Sequence, residues 1–138
     1  MTVDTMFSCK SRSLTLFFLA GLLHVSTLAA HNRLHCELFA GGETFTLDVQ
    51  PSTDIYNVTP LDLARFRFKA LAVGDHDNLQ YIKLQAYYRS GPEAILLHQV
   101  KYFPPFTYNV SLGGTHSVYS PDLGRELVYQ CGLTADAP

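Results

Sequence analysis

Apolar and polar residues alternate with a period of two along most of this chain. Leu34, Cys36 and Leu38 alternate with His35 and Glu37, and Gly41 and Gly42 then mark a turn. Phe45, Leu47 and Val49 follow, alternating with Thr44, Thr46 and Asp48. Successive side chains of a strand point to opposite faces, so two such runs joined by a glycine pair predict a β-hairpin. The clearest strand covers residues 65–73. There Phe66, Phe68, Ala70 and Ala72 form one face and Arg65, Arg67 and Lys69 begin the other.

The polar segment 74–78 predicts a turn, and residues 79–88 a strand with Ile82, Leu84 and Ala86 inward. A turn at Ser90, Gly91, Pro92 and Glu93 leads to a strand over 94–102, which Pro104 and Pro105 end. Further strands are expected at 106–112, at 117–119 along an edge, and at 126–131. Pro60 followed by Leu61 and Leu63 suggests one helical turn at 60–64 within the irregular stretch 51–63. The tail 134–138 is expected to fray. About seven or eight mostly antiparallel strands with regularly spaced turns predict an all-β domain, either a small β-sandwich or a partly open barrel.

The N-terminus breaks the alternation. Lys10 and Arg12 precede an uncharged apolar run at 14–23, and the small residues Ser26, Ala29 and Ala30 follow. The run is well short of the ~20 residues that cross a bilayer. Residues 1–30 therefore read as a cleaved secretory signal, leaving 31–138 as a single exported domain, periplasmic or secreted. Residues 31–138 are enough for one core and carry eight basic and eleven acidic side chains, a net charge of −3 with histidine neutral. That balance lacks the basic footprint of a nucleic-acid-binding domain. Contact with a membrane is expected only through the signal before cleavage.

Cleavage removes Cys9 and leaves Cys36 and Cys131, an even pair in an oxidising compartment. Both fall on inward phases of terminal strands. They are expected to form a disulfide, either between neighbouring strands or between facing sheets.

Candidate chemistry is sparse. There is no Gly-x-Ser-x-Gly elbow, phosphate loop, dinucleotide fingerprint or His-Glu-x-x-His motif. No catalytic residue, metal ligand or cofactor is assigned. An enzyme without a local signature stays open, because active-site loops can carry none. Asp75, His76 and Asp77 offer oxygen ligands but lack the glycine and distal glutamate of a calcium loop, so they read as a solvated hairpin tip. If cleavage follows Ala30 rather than Ala29, the α-amine and imidazole of His31 can chelate copper, with His35, His98 or His116 as a further ligand. Asn57 and Asn109 fit the N-glycosylation acceptor pattern, which matters only for export through an endoplasmic reticulum.

The remaining signal is aromatic and basic. Tyr81, Lys83, Gln85 and Tyr87 share one face of their strand, and Arg65, Arg67 and Lys69 share one face of the strand before it. If those faces are coplanar, Arg65, Arg67, Lys69, Tyr81, Lys83 and Tyr87 form a binding surface, since tyrosine and arginine are favoured interface anchors. The expected function is a non-enzymatic binding module for a protein or cell-envelope component, with the copper protein and the unsigned enzyme as alternatives.

Overall fold

The structure is a computed structural model that describes residues 32–56, 58–122 and 124–135. The signal-peptide reading, the copper reading of His31 and the acceptor site Asn57 lie outside these residues. Eight strands form: β1 (Asn32–Ala40), β2 (Glu43–Val49), β3 (Leu61–Leu63), β4 (Phe66–Gly74), β5 (Leu79–Ser90), β6 (Glu93–Tyr102), β7 (His116–Tyr119) and β8 (Glu126–Ala135). They make two four-stranded antiparallel sheets, β2-β1-β8-β7 and β3-β4-β5-β6. The sheets stay open and pack face to face, so the fold is the sandwich rather than the barrel. Among the described residues there is no helix, and so none long and apolar enough to cross a membrane.

The period-two pattern explains the core. Leu34, Cys36, Leu38, Leu127, Tyr129, Cys131 and Leu133 line the inner face of the first sheet. Phe66, Phe68, Ala70, Ala72, Ile82, Leu84 and Ala86 line that of the second. Every one is buried, and Phe68 meets Tyr129 across the gap with ring centroids 4.8 Å apart.

The first and last strands meet in the middle of the first sheet. β1 pairs with β8 over nine residues, with Cys36 directly opposite Cys131. The disulfide therefore joins neighbouring strands, with Cα atoms 4.0 Å apart, and not facing sheets. That spacing is close to the narrow, non-hydrogen-bonded pair of an antiparallel ladder, where side chains approach most closely.

Three expectations fail. Residues 60–64 hold no helical turn: Leu61–Leu63 is a strand paired with β4, with Leu63 buried and Asp62 facing outward. Leu61, Asp62 and Leu63 themselves alternate, and the left-handed Ala64 (φ 47°) closes a two-residue turn onto β4. Residues 106–112 are not a strand. Tyr108 makes a parallel bridge to Leu133, whereas Ser111 makes an antiparallel bridge to Gly132. The chain reverses between them at Asn109, which is left-handed (φ 59°). Thr134 and Ala135 belong to β8 and are not frayed, because β8 pairs with β1 up to Asn32.

Candidate functional site

The cross-strand register settles whether the two basic and aromatic faces coincide. Arg67 lies opposite Tyr87, Lys69 opposite Gln85, Leu71 opposite Lys83 and Val73 opposite Tyr81. Across the next ladder, Lys83 lies opposite Lys101 and Gln85 opposite Gln99. The neighbours of these residues on the same strands, Phe68, Ala70, Ile82, Leu84 and Ala86, point into the core. Arg67, Lys69, Tyr81, Lys83 and Tyr87 are therefore on one outer face of the second sheet.

Arg65 sits in the β3–β4 turn, where its carbonyl accepts the Arg89 N–H at 2.7 Å, and it lines a recess with Ala40, Gly41, Arg125 and Glu126 at one end of the sandwich. Sequence reasoning missed Arg89, Gln99, Lys101 and Phe103, which complete the face. Extending the same alternation along β6 exposes Gln99 and Lys101, but this depends on the register across the β5–β6 hairpin, which a bulge between Ala86 and Tyr87 shifts.

Local contacts hold these side chains in place. Arg67 donates two hydrogen bonds to Asp62, at 2.6 and 3.1 Å, and Arg89 lies 3.5 Å from the same carboxylate. The Arg67 hydrogen bond holds the Asp62 carboxyl below its usual range, and Asp62 raises Arg67 in return. Lys101 lies over the Tyr81 ring at 4.1 Å from its centroid, and Lys69 over Tyr87 at 5.2 Å. Gln85 donates to Gln99 at 2.8 Å. Phe103, 63% exposed, tilts against Tyr81 at 6.3 Å.

A second cluster bridges the sheets on the side where β6 and β7 approach. The Tyr129 hydroxyl is 2.6 Å from Nδ1 of His98, and the Tyr102 hydroxyl is 2.9 Å from Nε2 of His116. The His116 and Tyr129 rings stack at 5.0 Å, and the two imidazoles are 5.3 Å apart. Burial, then the nearby Tyr102, pushes the Tyr129 phenol far up. Burial, then His116, lowers His98. The phenol stays protonated and can donate to Nδ1 of neutral His98.

Of the histidines weighed as further copper ligands, His98 and His116 belong to this cluster. His35 faces out from β1, with Nδ1 2.8 Å from Asp48. Among the described residues no three histidine, cysteine or carboxylate side chains converge as a metal site. Asp75 accepts from the backbone N–H groups of Asp77 and Asn78, at 3.1 and 2.7 Å, which builds the exposed hairpin tip. An open recess of about 350 Å³ lies on the outer face of the first sheet, lined by His35, Glu37, Ser111 and Gly132 among others. Comparison with family models, with curated proteins and with solved structures finds no match.

Proposed function

We propose that this chain is an exported, non-enzymatic binding module that engages a cell-envelope component or protein through the outer face of the β3-β4-β5-β6 sheet. One observation carries the reading. Of the eight basic residues in 31–138, five (Arg67, Lys69, Lys83, Arg89 and Lys101) share this face, in a domain whose net charge is negative. Asp62 is the carboxylate paired with any of them among the described residues. Segregating cations against the overall charge creates a field that favours one kind of partner. Tyr81, Tyr87 and Phe103 add aromatic area suited to an interface. Export is supported by the apolar segment at 14–23 and by a disulfide typical of oxidising compartments.

The test is capture from envelope extract of the producing cell, using immobilised wild type beside Lys69→Glu and Lys83→Glu. The expected result is a retained component that both variants lose while their circular dichroism is unchanged. Equal capture by wild type and both variants would remove this face from consideration.

A further inference from the structure

We propose that the ligand of this face is an acidic polysaccharide chain, one anionic group per repeat, lying across the strands along a file of three lysines. This deepens the binding-module reading and rests on it. The file is Lys101 on β6, Lys83 on β5 and Lys69 on β4. Lys83 and Lys101 are direct cross-strand partners, and Lys69 is diagonal to Lys83, being opposite Gln85. Direct partners have Cβ atoms about 5 Å apart and diagonal ones about 7–8 Å. Arg67 lies one outward position further along β4 and extends the same side.

Three features favour a chain-like anion. First, like charges directly opposite each other destabilise a sheet. The Lys83–Lys101 pair has no carboxylate partner among the described residues, and an anionic group between the two ammoniums removes that repulsion. Second, the Arg67 fork is already engaged by Asp62, and Arg89 lies 3.5 Å from the same carboxylate. What remains is lysine, a point charge that accepts carboxylate, sulfate or phosphate without demanding planar bidentate geometry. Third, Tyr81 and Tyr87 hold Lys101 and Lys69 over their rings. Their π faces therefore position cations, and Phe103, whose ring centroid is 5.7 Å from the same Lys101 ammonium, stays 63% exposed at the end of the file and leaves apolar area against which a sugar can pack. The three lysines follow one another across β6, β5 and β4, which matches an extended polymer better than a compact ion.

The experiment measures binding of the intact oxidised domain to polygalacturonate, with neutral dextran, polyglutamate and phosphatidylglycerol vesicles as comparators. Polygalacturonate is expected to bind, dextran not, and polyglutamate more weakly. Lys83→Glu and Lys101→Glu should each weaken polygalacturonate binding about tenfold. Arg125→Gln, off the face, should leave it unchanged, and raising the salt should weaken it. Preferential binding to vesicles or to polyglutamate overturns the polysaccharide assignment. Absence of polyanion binding, with envelope capture still lost in Lys83→Glu, overturns the assignment but leaves the module reading standing. If neither binding nor capture responds to the lysines, both fall.

Discussion

The Tyr129 hydroxyl on β8 and Nδ1 of His98 on β6 lie 2.6 Å apart, joining the two sheets by a hydrogen bond between neutral groups. Protonating His98 turns its acceptor nitrogen into a donor. Tyr129, 1% exposed and strongly disfavoured as a phenolate, can then only accept from His98, and its own hydroxyl hydrogen loses its acceptor. Leaving a buried hydroxyl without an acceptor costs free energy comparable to a lost hydrogen bond. Around this bond stand His116 from β7 and Tyr102 from β6, with His116 adding repulsion to any charge on His98.

Stability should therefore fall on mild acidification. The His98 value is lowered on folding from its ordinary 6.5, so the unfolded chain binds the proton more readily. The stabilisation is complete above about pH 6.5 and declines as the pH drops toward the folded-state value. Thermal melts between pH 7.5 and 5 should show a fall in Tm of roughly 2–5 °C that His98→Gln reduces. A wild-type Tm that is flat over that range would show that the pair carries no such linkage.

The disulfide should dominate covalent stabilisation. Cys36 and Cys131 are separated by 95 positions in sequence yet are partners in the central pair of the first sheet. Closing so long a loop is worth about 4–5 kcal/mol in the chain-entropy account. Replacing both cysteines with serine should lower the unfolding free energy by about that amount, seen as a lower denaturant midpoint, or prevent folding at 37 °C. Equal unfolding curves with and without reductant would contradict this.

Most of the sandwich is legible in the sequence because alternation and turns are local. The β1–β2 hairpin shows in the glycine pair 41–42 between two alternating runs, and the inward phases of Cys36 and Cys131 anticipate their bond. The failures arise where local signals conflict with distant partners. Pro60 and two leucines resemble a helix start, but β4 supplies a pairing edge that draws Leu61–Leu63 into the sheet. Tyr108 and Ser111 resemble strand residues, yet a left-handed Asn109 reverses the chain between their bridges to β8. For the candidate face, the strand phases of Arg67, Lys69, Tyr81, Lys83 and Tyr87 are readable. Their coplanarity is a matter of register, and the place of Lys101 depends on a bulge that no residue pattern announces.

Gly132 should resist substitution. It lies in β8 opposite His35, and a Cβ there would come 2.7 Å from the Val110 carbonyl oxygen. The obstacle is backbone, held by the Asn109 N–H on the Leu133 carbonyl and the Leu112 N–H on the Cys131 carbonyl, both at 2.7 Å. Gly132→Ala should cost about 1–3 kcal/mol and speed amide exchange at Asn109 and Leu112. Unchanged exchange with unchanged stability would mean that the loop moves aside freely.

Asp62 should act as a brake on the proposed ligand. Its carboxylate takes both hydrogen bonds from Arg67 and pairs with Arg89, neutralising part of the cationic face. Asp62→Asn removes that charge and leaves the size of the side chain nearly unchanged. Because the pair is exposed, its loss should move stability little. Two arginines then become available to an anion beside Lys69, and polygalacturonate affinity should rise about two- to fivefold. Acid should act in the same direction on this residue. Its carboxyl is held below its usual range in the fold, so the Asp62–Arg67 pair is lost only as the pH falls through that lowered value. Binding titrations of Asp62→Asn and wild type at pH 7 decide the matter: equal affinities would show that Arg67 and Arg89 contribute nothing to the ligand and that recognition is confined to the lysine file.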